Sequence, residues 1–461
     1  MQRNAKRNFV PFMARAFVLC AVAIIVRGCV DASLMDGFSP QPATADFNAA
    51  PAAAVAGDVL VTGGVSILSN NMATTNYSSV ATAELFKQST KTFVATDAMT
   101  TSRAGIQAVG FSGAGPLAHA AIVPGGLSGG GNLNHTNGVA TLTATTKATS
   151  EIYKRTTSTF VNGGSMHGVR HLYTATLLND GTILVAGGFN KETPLATAEI
   201  YHPASGQFTA VGPMKVARAM HTATLLPNGQ VLIAGGIVDA HGTVGASAEL
   251  YNPATGKFTK LAAIMPSPMA AHTATLISGC GCAADGQVLL AGGFFGSGTN
   301  AFPASENPLS FTQLYNPTSQ MFALKASMKE ARTMHTATLL PGGKVLFTGG
   351  AFGTIAFGNN HIAAFAGAIA RRTAEVYTPG TNTMTCVGGA VGTACKPSMK
   401  LTRFLHTATK IPSGPLAGQV LLAGGSFPAT NGELYNPTTK QFVLVGKMSA
   451  TRGLHAAIVV Q

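Results

Sequence analysis

With 54 glycines among 461 residues and only 10% charged side chains, the chain suits many short strands joined by glycine-rich turns rather than long helices. Its formal charge of +13 comes from 30 Lys and Arg against 17 Asp and Glu, and Arg3, Lys6, Arg7, Arg15 and Arg27 carry part of that excess near the start. No later run of cations is interleaved with aromatic residues, so the composition argues against a nucleic-acid partner.

In chain order, the first element reads as an export signal: a basic stretch to Arg15, then the apolar run Ala16 to Val26. As a helix that run would reach about 16 Å, too short to cross a bilayer. Two cleavage patterns follow. Residues 26–29 end at Cys29 and resemble a bacterial lipoprotein box with an atypical Arg; Val30, Asp31 and Ala32 form a small-residue site for ordinary cleavage. Either implies export from a bacterial cell, leaving the protein secreted, periplasmic or lipid-anchored at the surface. Only the first puts a lipid on Cys29, the one membrane contact expected. Residues 1–32 are therefore expected to be a signal peptide and 33–56 a Pro/Ala-rich flexible linker.

From residue 57 onward two short patterns alternate. A brief apolar run ends in a glycine doublet at 63/64, 125/126, 187/188, 235/236, 292/293, 349/350 and 424/425. A variable stretch and then a Glu-x-Tyr type of signature follow each doublet, at Glu84, Glu151, Glu199, Glu249, Gln313, Glu375 and Glu433. Variants of Arg-x-x-His-Thr-Ala-Thr stand ahead of the doublets, complete at 218–224, 332–338 and 403–409, and after most tyrosines a turn leads to a Phe, as at 251–258. Each unit therefore predicts four short antiparallel strands.

These marks resemble kelch repeats, in particular the bacterial group related to the galactose oxidase propeller. The resemblance covers 57–461 and implies an all-β, seven-bladed kelch-type β-propeller. The usual Trp of the family is absent; Phe93, Phe160, Phe208, Phe258, Phe322 and Phe442 take its place. The array opens on a second strand at 57–64 and closes on a first strand at 451–461. The C-terminal strand is thus expected to complete the first blade and close the ring.

One unit lacks both repeat charges, with Met269 in the Arg slot and Gln313 in the Glu slot. This joint loss predicts an Arg–Glu contact within each blade, spanning the second strand where the glycine doublet leaves room. Arg452 and Glu84 are expected to tie the closing strand, and Arg218, Glu199, Arg332 and Glu375 to belong to structural pairs of the same kind. The histidine slot reads Ile106, Tyr173, His221, His272, His335, His406 and His455. Strand alternation turns it toward a neighbouring blade, and the Tyr and Ile variants fit packing better than metal ligation. No metal and no cofactor are expected. Cys386 and Cys395 should form a disulfide; Cys280 and Cys282 are a second candidate, with soft-metal ligation as their alternative.

Function is then sought where the units differ. Long insertions at 65–83, 127–150, 294–312 and 351–374 all leave the edge where first strands begin, crowding one face. The last is the most distinctive, with Phe352, Phe357, Phe365, Asn359, Asn360, His361, Arg371 and Arg372; Phe294, Phe295, Asn300 and Phe302 stand in the neighbouring unit. Aromatics with amides suit a protein or glycan ligand; a short helix around 362–369 plugging the face is the structural alternative. The expectation is an exported, monomeric, non-catalytic binding module. The competing class is a sugar-active enzyme at the channel mouth, epimerase-like or a copper radical oxidase. Tyr201 and His202 resemble the oxidase's Tyr-His pair, but they occupy ordinary repeat positions.

Overall fold

The computed structural model describes residues 57–460 apart from 71–73, 112–116, 135–139, 192, 296–307 and 353–368. The signal and linker expected at 1–56 lie outside the described residues. Among those described, no helix is long and apolar enough to cross a membrane.

The unit at 222–260 shows how the repeat folds. Thr222–Leu225, Val231–Ala234, Ala248–Asn252 and Lys257–Lys260 form one antiparallel sheet in sequence order. A turn with Gly229 at φ 82° joins the first two, and Asn252 Oδ1 accepts the Ala254 N–H at the last turn. Val231–Ala234 is buried throughout because neighbouring sheets cover both its faces. Tyr251 packs on Phe258 with ring centroids 4.8 Å apart, and the same pairing recurs at Tyr201/Phe208, Tyr315/Phe322 and Tyr435/Phe442. A Phe against the repeat Tyr therefore packs the outer pair of strands in each of these sheets.

Seven four-stranded sheets of this plan occur among the described residues. Six take their strands in order along the chain. In the other, Ala456–Val459 from the C-terminal end pairs with Val59–Thr62, in register from Val59↔Val459 to Thr62↔Ala456. Innermost strands lie against one another from sheet to sheet, including Ala456–Val459 against Val109–Gly110 and Val109–Gly110 against Thr174–Leu177.

The glycine doublet is a requirement of these contacts. Gly236 has φ 94°, and a Cβ there would fall 2.6 Å from the Ala219 oxygen and 2.8 Å from His221 Cβ. Its N–H donates to the Met269 oxygen of the next sheet at 2.9 Å. A side chain would both oppose the backbone conformation and push the sheets apart.

Between the Arg and His positions the chain turns left-handed in every unit: Gly105, Leu172, Met220, Ala271, Met334, Leu405 and Leu454 have φ from 50° to 63°. This turn sends each N–H sideways to the matching carbonyl of the neighbouring sheet. Leu172 bonds Gly105, Gly105 bonds Leu454 and Leu454 bonds Leu405, and so on through Met334, Ala271 and Met220 back to Leu172, at 2.9 to 3.4 Å. The seven bonds make one circuit. Six of these residues are not glycine, so the sequence carried no turn signal for it.

Two of the expected loops are not loops. Val65–Asn70 and Thr74–Ser79 from one insertion join Gly130–Asn134 and Ala140–Leu142 from the next in a further four-stranded sheet. Strand-to-strand pairing from Thr74↔Asn134 to Ser78↔Gly130 crosses between the two units. The pairing satisfies backbone groups that neither insertion could satisfy alone. Disulfides close Cys280 to Cys282 and Cys386 to Cys395.

Candidate functional site

The repeat charges are buried and bound into the scaffold. Arg218 Nη2 lies 3.0 Å from Glu249 Oε1, while Nη1 donates to the oxygens of Gly235 and Ser247. Glu249 in turn accepts the N–H groups of Lys215 and Val216. Arg452 faces Glu84 at 3.5 Å and Arg332 faces Glu375 at 2.8 Å. The partner of Glu199 is Arg170, at 2.9 Å, in the unit before that of Arg218. Where Met269 and Gln313 replace the charges, the Gln313 amide bonds the Ser267 carbonyl at 2.9 Å. Each cluster ties the lead-in segment to the third strand across the doublet, and none offers an open charge.

The histidines link adjacent sheets. His221 Nε2 meets Thr174 Oγ1 at 2.9 Å, His272 meets Thr222 at 3.0 Å, His335 meets Thr273 at 3.0 Å, and His455 meets Thr407 at 2.9 Å. His406 reaches both Thr336 and Thr348 at 3.0 Å. Burial pushes the His272 and His455 pKa values down to about 3, so these imidazoles are neutral. Tyr173 in the same slot bonds the Pro124 oxygen instead. Ile106, which has no such group, shares an apolar cluster with Ala456, which occupies the Thr slot of the adjacent strand. Donor and acceptor are lost together at that interface.

These residues and the left-handed turns surround a central cavity of about 280 Å³. Val65, Phe189, Ile237, Phe294, Phe404 and Phe427 form an apolar cluster against Leu172, Met220 and Leu405 of its wall. Phe294 therefore belongs to the core; exposed Phe295 is the surface member of that pair. Among the described residues no three of His, Cys, Asp and Glu come together as a metal site would require. Tyr201 packs on Phe208, and His202 Nε2 bonds Thr209 Oγ1 at 2.8 Å within the same sheet.

The loop face holds a more open arrangement. Ala351–Phe352 pairs with Ile369–Ala370, setting Phe352 opposite Ile369, and both side chains are exposed. The Arg371 guanidinium lies over the Phe352 ring, 4.6 Å from its centroid. Behind it, buried Glu330 approaches Arg371 Nη1 at 3.5 Å and Arg332 Nη2 at 3.7 Å. Glu330 also accepts Thr373 Oγ1–H at 2.5 Å and the Cys395 N–H at 3.3 Å. The disulfide-closed hairpin thus helps fix the carboxylate that anchors Arg371. Burial pushes the Arg371 pKa down, against the attraction of Glu330. Its Nη2 donates to the Ala331 carbonyl at 3.5 Å, and its Nε is buried without a hydrogen-bond partner.

Arg372 is exposed on the same strand end. Asn300, Phe302, Phe357, Asn359, Asn360, His361 and Phe365 lie outside the described residues, as does most of the expected 362–369 helix. The repeat pattern did not point to Glu330. The available signal was an acid two residues before the repeat Arg, where the units at 218 and 452 have Val216 and Ala450.

A family model described as the Kelch motif matches residues 171–215, which contain one complete four-stranded sheet from Thr174–Leu177 to Gln207–Ala210. One of the seven repeat sheets is thus a match to the kelch motif, and the other six share its four-stranded plan. Among solved structures, the chain is similar to a novel fungal alcohol oxidase with catalytic diversity among the AA5 family, in complex with copper. That match has 16% identity over 66% of this chain and a TM-score of 0.48, and spans 59% of the oxidase chain. It is also similar to the structure of YjhT, at 11% identity over 74% of this chain and 97% of the other, again with a TM-score of 0.48. No curated protein matches.

Proposed function

We propose that the chain is an exported, monomeric, seven-bladed propeller acting as a non-catalytic binding module for a protein or glycan through its loop face. The seven repeat sheets and the pairing of Ala456–Val459 with Val59–Thr62 support the blade count and the closure. The two disulfides are compatible with an oxidising compartment.

The observation that carries the binding reading is Arg371 lying over exposed Phe352 beside Ile369, on a two-stranded sheet anchored by Glu330. A planar apolar surface edged by guanidinium donors suits a ligand with a flat or aliphatic face and an acceptor group. Placement on a rigid scaffold limits the entropy lost on binding.

The test is a screen of glycan and peptide arrays with the full chain, followed by titration calorimetry of whatever is retained. Phe352→Ala and Arg371→Ala should each weaken binding about tenfold or more, as truncation of an interface anchor does. A retained ligand whose affinity neither substitution changes would remove this face from consideration. Failure to retain any ligand would count against the module reading itself.

A further inference from the structure

The turn joining Thr273–Leu276 to Val288–Ala291 lies at the end of the second strand away from its glycine doublet, and so at the edge opposite the loop face. It holds Cys280, Gly281 and Cys282, with the two cysteines joined across a single residue. Two features set this disulfide apart from Cys386–Cys395, and a third sets which of its sulfurs is attacked.

The first is ring size. Cross-linking positions two apart removes little conformational freedom from the reduced chain, so loop closure favours the disulfide less than it does across a separation of nine. The second is a hydrogen bond: the Cys282 N–H donates to Cys280 Sγ at 3.2 Å. That bond strengthens when the sulfur carries a full negative charge, which favours Cys280 as the leaving thiolate. The third is access. Cys280 backs onto the neighbouring sheet at Gly343, where even a Cβ would stand 2.5 Å from its own Cβ, whereas a Cβ at Gly380 would stand 3.8 Å from that of Cys282. Both cysteines are half-buried between exposed neighbours, Gly279 and Gly281 for Cys280 and Gly281 and Ala283 for Cys282, so the closer backing of Cys280 is what leaves Cys282 the more open to attack. In the other disulfide Cys395 is buried at 6% and Cys386 is half-buried like Cys282, so access sets the direction of attack within the turn.

We infer that the Cys280–Gly281–Cys282 turn is a thiol–disulfide exchange site that takes two electrons from a substrate dithiol. A substrate thiolate attacks Sγ of Cys282; the Cys280–Cys282 bond breaks and its electron pair stays on Cys280 Sγ. The second substrate thiolate then attacks its own sulfur in the mixed disulfide and releases the Cys282 thiolate. The substrate leaves as a disulfide, and the two protons lost from its thiols are taken up by Cys280 and Cys282. Oxidised glutathione restores the turn and is itself reduced to two molecules of glutathione.

The full chain equilibrated in graded mixtures of reduced and oxidised glutathione, then alkylated and mapped by mass spectrometry, tests this directly. Cys280 and Cys282 should become reduced in mixtures at least about tenfold more oxidising than those needed for Cys386 and Cys395. Native chain should also speed the oxidation of a reduced dithiol peptide by oxidised glutathione. The Cys280→Ser, Cys282→Ser double variant should not, and Cys280→Ser alone should accumulate glutathione on Cys282. Coincident reduction of both disulfides, or equal peptide oxidation by the native chain and the double variant, would overturn the inference. The reduction series uses only native protein, so its outcome does not depend on how the variants fold.

Discussion

At the residue scale, the decisive feature is that six buried arginines each satisfy two carbonyls and a carboxylate or its equivalent inside one sheet. Arg452 donates to the oxygens of Gly63 and Thr82 and lies 3.5 Å from Glu84. Removing it would leave the Glu84 carboxylate buried with only Ser449 as donor, and an uncompensated buried charge costs about 3 to 5 kcal/mol. Arg452→Met should lower stability by that order in urea denaturation. Arg452→Met with Glu84→Gln, which reproduces the natural Met269 and Gln313 arrangement, should lose less. Equal losses in the two variants would show that the charges do not depend on one another. The joint change at 269 and 313 is the kind of signal a single repeated sequence can offer, because each unit serves as a control for the others. Glu330 offered no such control, since it occurs in one unit only. Its role depends on Arg371 and on the Cys395 backbone, both remote in sequence.

At the element scale, the sheets are joined by polar links that require neutral histidine. Burial pushes His272 and His455 down to about 3 and holds His221, His335 and His406 well below the usual value of 6.5. In the unfolded chain all five would titrate near 6.5. The folded pKa values are the depressed ones, so between about pH 6.5 and 3 the unfolded state binds more protons. Stability is therefore intact above that window and falls as pH drops through it. Each histidine contributes up to about 1.4 kcal/mol per pH unit to the slope. His272→Tyr, which copies the residue at Tyr173, should reduce the slope between pH 6 and 4 by about one proton's worth in urea denaturation. An unchanged slope would mean that His272 charges as easily folded as unfolded. The strands themselves were legible from their alternation and glycine doublets. The left-handed turns were not, because Leu172, Met220 and Leu405 gave no sign of positive φ, and the cross-unit sheet was not, because neither insertion completes it alone.

At the scale of the whole molecule, these local links share a direction. Each sheet hands a backbone bond from its left-handed turn to a neighbour, and the circuit returns through Leu454 and Gly105. The outer layer repeats the arrangement, with the Gly446 N–H donating to the Lys91 oxygen between the outermost strands of the last and first sheets. If the C-terminal segment is what joins the two ends, deleting residues 452–461 removes the Ala456–Val459 strand, the Arg452 cluster and two bonds of the circuit together. Val59–Thr62 would then be an exposed apolar edge, a template for pairing with other chains. The truncated protein should unfold at much lower urea and form oligomers in light scattering. Circular permutation through the same junction, linking 461 to 57 and opening the chain within the turn at 227–229, would restore connectivity across the first sheet and should keep the protein monomeric. If the truncation alone stays monomeric with native stability, the terminal strand does not hold the ends together. The repeated bonds around the axis would then have to be sufficient with one position missing.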